Sequence, residues 1–260
     1  MDSWSTKATS QVTLFLIELQ LSSSLNTAII DAGFNVDEGV PLWTAYSINR
    51  SSLNIALENK IMSWRSDPRL DVGGCNHFSN ITSERNAAYI HIFPREFAFS
   101  EEEAWLDTNL LELPPSTSQL IRIMNELLKQ TASRYESINV ITGLTHHHSA
   151  AIFYVISTCD VATDGNPMNL TSCPIDLLRL QAFLLPVESK FSKACIDDYQ
   201  FIALHVASLK DVERVTKFNF FPDLSLEDKL DVLTRTTLSS HLVIDPCRYS
   251  NLKVWPPRRN

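Results

Sequence analysis

PPSTSQLIRIMNELLKQTASRYESINVITG, residues 114–143, carries the chain from helix to sheet, and its reading sets the fold class. Apolar residues fall at Leu120, Ile123, Met124, Leu127 and Leu128. That i, i+3, i+4, i+7, i+8 stripe predicts a helix over 116–134 with one buried face. Ser116-Thr117-Ser118-Gln119 reads as a capping box, preceded by Pro114-Pro115. The period then changes. Ile138-Asn139-Val140-Ile141 reads as a strand closed by Gly143, and Ile152 to Ser157 as a second strand.

Working outward, Pro41 to Ile48 alternates apolar and small polar residues, the pattern of a half-buried strand. Residues 64–86 are polar, hold Pro68 and Gly73-Gly74, and read as a loop. Ala88 to Phe93 reads as a strand stopped by Pro94. Leu180 to Val187 is another strand, beyond a long loop with Gly165, Asn166 and Pro167. Asp197 or Asp198 is placed to cap a helix with Phe201, Ile202, His205 and Leu209 on one face. A second helical stretch holds Val212 and Val215 and ends near Phe220-Phe221-Pro222. Ser225-Leu226-Glu227-Asp228 opens a last helix with Leu230 and Leu233. Residues 1–30 are Ser/Thr-rich without clear periodicity. Strands and helices interleave without the regular repeat of a parallel sheet, so the expected class is α+β around a largely antiparallel sheet.

Composition narrows the function. The 260 residues are 44% hydrophobic, as in a globular chain. Lys plus Arg is 22 and Asp plus Glu is 30, a net charge of −8, which argues against a nucleic-acid partner. None of the 6 glycines forms a dinucleotide or P-loop cradle. No apolar run is long enough for a membrane-spanning helix. Val12 to Ile17 is broken by Glu18 and reads as an element of the fold, so no signal peptide is recognised. Glycosylation sequons start at Asn49, Asn80 and Asn169. The 5 cysteines form no C-x-x-C and no zinc-finger spacing. In a secreted chain one thiol would be left over; in a cytosolic chain the cysteines would mostly be small buried hydrophobes.

Six blocks in order resemble the ectonucleotide pyrophosphatase/phosphodiesterases. Val40-Pro41-Leu42-Trp43-Thr44-Ala45-Tyr46 resembles M-P-L-W-V-S-Y, and Asp107-Thr108-Asn109 resembles V-T-N. Ile138 to Gly143 resembles V-N-V-I-S-G. Tyr154 to Cys159 resembles I-I-T-S-C, and Ala182 to Pro186 resembles S-F-I-L-P. His205 to Phe221 resembles the segment H-T-A-R-V-R-D-V-E-x-L-T-G-L-D-F-Y. The resemblance covers residues 30–243, leaving an N-terminal extension 1–29 and a tail 244–260. It falls on the family's C-terminal nuclease-like domain. The K-T-F-P-N nucleophile and D-H-G-M segments of the zinc phosphodiesterase domain are not found.

The resemblance implies the ββα-metal (His-Me) fold of the non-specific DNA/RNA endonucleases. In that fold D-R-G-H supplies a His as general base, and an Asn on the next helix holds one divalent cation. The register puts His91 on the base position but keeps none of the Asp, Arg and Gly. The metal Asn falls near Ser118, with Asn125 two turns on. The family's calcium loop is replaced by Leu144 to Ser149, whose His146-His147-His148 reads as a solvated turn or an adventitious metal site. No cofactor is expected. The resemblance also implies a Cys159–Cys173 disulfide, and it places Cys195 on the half-cystine that reaches the phosphodiesterase domain. His205, Asp211 and Glu213 match the family residue by residue and imply a structural network rather than a catalytic trio. Two functions follow. One is a non-catalytic nuclease-like domain, extracellular, partnered with a phosphodiesterase domain encoded upstream or on another chain. The other is a metal-dependent endonuclease or phosphodiesterase using His91.

Overall fold

The computed structural model describes residues 14–18, 30–35, 40–50, 53, 64–67, 88–98, 104–145, 151–160, 173–187, 198–221 and 225–235. The chain is mixed α+β, with a central sheet that is antiparallel throughout its described ladders. Its strands are β1 (Leu14–Glu18), β2 (Ile30–Asn35), β3 (Val40–Asn49), β6 (Ser137–Leu144), β7 (Ala151–Cys159), β8 (Leu178–Pro186) and β9 (Val206–Ala207), in the spatial order β1-β2-β3-β6-β7-β8-β9. β4 (Ala88–His91) and β5 (Leu110–Leu113) form a separate two-stranded sheet. The helices are α1 (Pro115–Ala132), α2 (Asp198–Leu204), α3 (Leu209–Thr216) and α4 (Leu226–Arg235).

One face of the sheet makes the larger core. Tyr46, Ile48, Ile138, Val140, Ile152, Tyr154 and Ile156 pack there against Met124, Leu127 and Leu128 of α1. The stripe read from the sequence is the stripe that packs. On the other face Phe153, Val155, Leu180 and Ala182 meet Leu209 and Val212 of α3, and Phe220. Side chains alternate across each strand, so one residue in two serves each layer.

Several local expectations need correction. α1 starts at Pro115 with Pro114 in the capping position, and no side chain caps it. Ser116, which would cap, already lies in the first turn; beside it Thr117 Oγ1 donates to the Val187 carbonyl at 2.8 Å and Ser118 Oγ to the Pro115 carbonyl at 2.6 Å. Proline at the first helical positions has no N–H to satisfy, so the start needs less capping. Gly143 does not close β6. It lies inside the strand, where a Cβ would sit 2.2 Å from the Leu42 carbonyl oxygen and 2.8 Å from Phe153. Only glycine allows that approach.

In the N-terminal third β2 at Ile30–Asn35 goes unread, and the run Val12–Ile17, read as an element of unspecified type, is strand β1 at Leu14–Glu18, so the sheet begins upstream of residue 30. The helix expected to carry Phe201 through Leu209 on one face is two helices. α2 ends at Leu204, Val206–Ala207 pairs with β8 as β9, and Ser208 starts α3. The break has a local cause: the Ser208 hydroxyl accepts from the Asp211 N–H at 3.1 Å, a helix N-cap. α3 ends at Thr216 rather than near Phe220, because Lys217 takes a left-handed conformation with φ 63°. The helix opened by Ser225 is present as α4, with the Asp228 N–H donating to the Ser225 hydroxyl at 3.1 Å.

Candidate functional site at the β4–β5 hairpin

β4 and β5 pair antiparallel, Ala88 with Leu113 and His91 with Leu110, and α1 begins two residues after β5. His91 is therefore the last residue of the hairpin's first strand, at the mouth of the connecting loop. That loop contains two short 3-10 turns, Arg95–Phe97 and Asp107–Asn109.

The loop is fixed by buried polar side chains. Asn109 donates from Nδ2 to the carbonyls of Phe93 (3.0 Å) and Ala104 (2.9 Å) and accepts the Phe93 N–H at Oδ1 (2.6 Å). Three bonds satisfy most of the amide's capacity and tie both ends of the loop together. Thr108 Oγ1 donates to Asp67 Oδ2 at 2.6 Å, and the Asp67 N–H donates to Asp107 Oδ1 at 2.9 Å. The Asp107-Thr108-Asn109 block is thus a buried clamp. The sequence of this block shows its resemblance but not its role; three consecutive polar residues flanked by Leu106 and Leu110 are the available signal.

His91 sits half-buried among aromatic rings. Its ring centroid is 4.6 Å from Trp64 and 4.9 Å from Trp105, whose own rings are 4.9 Å apart. Nδ1 lies 3.3 Å from the Ala104 carbonyl. Burial, and then the neighbouring Arg95 guanidinium, push the imidazole down to about 4. Arg95 itself stands over Trp105. Neither tryptophan was legible as a neighbour of His91, because both come from loop segments without periodicity.

Of the helix positions at which a ββα-metal fold would place a metal ligand, Ser118 is engaged and Asn125 is engaged through Nδ2 alone. The Ser118 hydroxyl turns back to its own helix. Asn125 Nδ2 donates to Glu96 Oε1 at 2.9 Å, while Asn125 Oδ1 is buried without a partner. Among the described residues no group of three or more His, Cys, Asp or Glu is arranged to hold a metal ion. A hard divalent cation asks for several oxygen ligands together, and one hydroxyl and one bonded amide do not fit it. The His146–His148 run lies outside the described residues.

The C-terminal candidates His205, Asp211 and Glu213 bond to different partners. His205 bonds through Nδ1 to the Phe201 carbonyl at 2.8 Å and stacks on the Phe201 ring at 3.8 Å. The Asp211 carboxylate accepts from the Ser208 hydroxyl at 2.6 Å and from Arg214 at 2.7 Å; those bonds, the first above all, lower its pKa. Glu213 Oε1 accepts the Phe220 N–H at 2.9 Å and meets Lys229 Nζ at 3.0 Å, so it ties α3 to the following loop and to α4. Lys229 also bonds Asn219.

Cys159 and Cys173 form a disulfide, with Cα atoms 5.8 Å apart. Cys195, Cys75 and Cys247 lie outside the described residues, as do Asn80 and Asn169. Asn49 is the last residue of β3 and is half-buried. Among the described residues no helix is long and apolar enough to cross a membrane.

No family model matches the chain. It is 23% identical over 234 residues to the venom phosphodiesterase of Macrovipera lebetinus, an alignment that takes in 77% of this chain and 27% of that protein. To the venom phosphodiesterase of Naja atra it is 22% identical over 229 residues, covering 74% of this chain and 27% of the relative. To the human ectonucleotide pyrophosphatase/phosphodiesterase family member 1 it is 21% identical over 227 residues, covering 73% and 24%. The chain spans about a quarter of the length of these curated relatives. The likenesses support a relationship to the ectonucleotide pyrophosphatase/phosphodiesterase family.

Proposed function

We propose that residues 30–243, with β1 added to their sheet from upstream, are a nuclease-like domain that does not cut phosphodiesters and serves as the structural partner of a phosphodiesterase domain. The order β4–β5–α1, a hairpin running directly into a helix, is compatible with the ββα-metal arrangement. The seat of His91 carries the reading. A general base works best with a pKa near the working pH, and an imidazole held at about 4 accepts a proton from water poorly. The two indoles packed on it further limit approach of a phosphate. Stabilising the charged transition state calls for preorganised donors or a cation; Ser118 is committed to another bond, and Asn125 Oδ1, though unbonded, is a single oxygen with no group of three His, Cys, Asp or Glu to join among the described residues.

Relatives named as venom and ecto-enzymes, together with the Cys159–Cys173 bridge, favour an extracellular location. The partner reading is tested by co-expressing this chain in a secretory host with the phosphodiesterase domain of a relative. The two are expected to co-elute, with a covalent band on a non-reducing gel that Cys195→Ser abolishes. Separate elution of two folded proteins contradicts the partnership.

The second reading, a metal-dependent endonuclease using His91, is favoured by one observation: His91 ends the hairpin strand that precedes α1.

A further inference from the structure

We propose that Asn49 carries an N-linked oligosaccharide whose first sugars lie on a half-exposed, polar part of the central sheet. The proposal rests on the extracellular reading above and adds to it a modification site and the surface that receives it.

Burial alternates along β3. Thr44, Tyr46 and Ile48 are buried beneath α1, while Ala45, Ser47 and Asn49 on the opposite face are half-buried. β6 repeats the pattern, with Ile138 and Val140 buried and Ser137, Asn139 and Ile141 half-buried. In register, Asn49 stands opposite Ser137 and Ser47 opposite Asn139; Asn139 in turn stands opposite Ser157 of β7. Ser47 Oγ donates to Asn139 Oδ1 at 2.6 Å. Ser47, Asn49, Ser137 and Asn139 therefore make a half-exposed strip of hydroxyls and amides, bounded by the buried Ser157.

Among the described residues the apolar cover of that face centres on β7 and β8 and reaches Trp43 and Ile141. Leu209, Val212 and Phe220 sit on Phe153, Val155, Leu180 and Ala182 of β7 and β8. An antiparallel sheet tolerates one wet face when that face is polar. Serine and asparagine side chains offer mixed donors and acceptors, the same chemistry as sugar hydroxyls and acetamido groups.

Asn49 sits at the rim of this strip within the sequon Asn49-Arg50-Ser51. The strand ends there. The Arg50 N–H donates to the Glu136 carbonyl at 2.9 Å, and the Arg50 guanidinium donates to the Ser133 carbonyl at the end of α1. The chain is thus anchored one residue past the acceptor, and the acceptor is held at the strand's exit rather than mid-ladder.

The donor is a polyprenyl-diphosphate oligosaccharide. The C1–O bond to the diphosphate breaks, a C1–Nδ2 bond to Asn49 forms, and one Nδ2 proton is lost as the polyprenyl diphosphate leaves. Asn49 is already engaged in the fold, and the glycosylated amide keeps its carbonyl and one N–H. The product is uncharged, so it leaves the ion pairs of the domain intact.

The test expresses the full chain in a mammalian host in two arms, behind a cleavable secretion leader and behind its own N-terminus. Glycopeptide mass spectrometry reads each sequon, and Ser51→Ala removes the acceptor signal while retaining Asn49. In the leader arm Asn49 is expected to be occupied, Ser51→Ala to lose one glycan's mass, and native deglycosylation to lower the Tm. An unoccupied Asn49 beside an occupied Asn80 or Asn169 overturns the proposal, as does a leader arm with no sequon occupied. An occupied Asn49 whose removal leaves the Tm unchanged overturns the placement of the sugars on the strip. Glycosylation in both arms supports the site and the extracellular reading together; occupancy behind the leader in a chain that is retained rather than secreted supports the site and contradicts the extracellular reading.

Discussion

β3 and β7 lie in one sheet with β6 between them, yet they are buried differently. Every residue of β7 from Ile152 to Cys159 is buried, whereas β3 from Trp43 to Asn49 alternates buried with half-buried. Their sequences differ in the same sense. β7 reads Ala-Ile-Phe-Tyr-Val-Ile-Ser-Thr-Cys, a nearly continuous apolar run, while the matching part of β3 reads Trp-Thr-Ala-Tyr-Ser-Ile-Asn. A strand covered on both faces gives up alternation; one with a wet face keeps it. α1 covers both strands on one side, and on the other side α3 and Phe220 cover β7 but leave the Ser47–Asn49 end of β3 half-open.

Substitution across the two regions should show the largest contrast. Phe153→Ala, at a fully buried site on the α3 side, is expected to cost ~3–5 kcal/mol by chemical denaturation. Ser47→Ala, on the half-open part of the same face, is expected to stay within ~0.5 kcal/mol. Equal losses would mean that the second face is covered evenly.

The disulfide anchors the end of the covered strand. Cys159 is the last residue of β7, and its bridge to Cys173 closes a loop of sequence separation 14. Replacing both cysteines with serine should lower stability by roughly 3 kcal/mol in the chain-entropy model. A change below about 1 kcal/mol would show that the loop is already restrained in the unfolded chain.

His91 tests the hairpin layer on the other side of the sheet. The unfolded chain takes up this proton near 6.5 and the folded chain only at about 4. Between those values the unfolded state binds more protons, so stability contributed by the neutral ring is present above pH 6.5 and is lost as the pH falls toward 4. The loss is at most ~3 kcal/mol. His91→Phe should remove this part of the acid sensitivity and be tolerated at neutral pH. Parallel Tm–pH curves for the two proteins would contradict the burial of the ring.

The smallest effect is a gain. Lys217 caps α3 with φ 63°, a conformation that costs a non-glycine residue energy. Lys217→Gly should stabilise the cover of β7 by ~0.5–1 kcal/mol, read as a rise in Tm.

The residues 114–157 were legible because period and packing agree there: the α1 stripe and the β6–β7 pair lie where the pattern puts them. The failures have local causes. Ser116–Gln119 has capping-box spacing, but the helix starts at Pro115, so Ser116 is already inside the first turn and cannot cap it. Glycine commonly ends strands, yet Gly143 is needed inside one, because Leu42 and Phe153 crowd its Cα. The break between α2 and α3 hangs on the single Ser208 cap, which a continuous apolar face conceals. At the candidate site His91 was visible, but Trp64, Trp105 and the Asn109 clamp come together only through tertiary contacts between loops.

The central claim is that the hairpin bearing His91 is a structural element and not a nuclease centre. Cleavage of supercoiled plasmid and of single-stranded RNA, with Mg²⁺, Mn²⁺ or Ca²⁺ supplied in turn, tests it most directly, with wild type and His91→Ala purified side by side. Cleavage no faster than the protein-free control, and the same in both proteins, is the expected result. Metal-dependent cleavage by the wild type that disappears in a folded His91→Ala would contradict the claim and make His91 the general base.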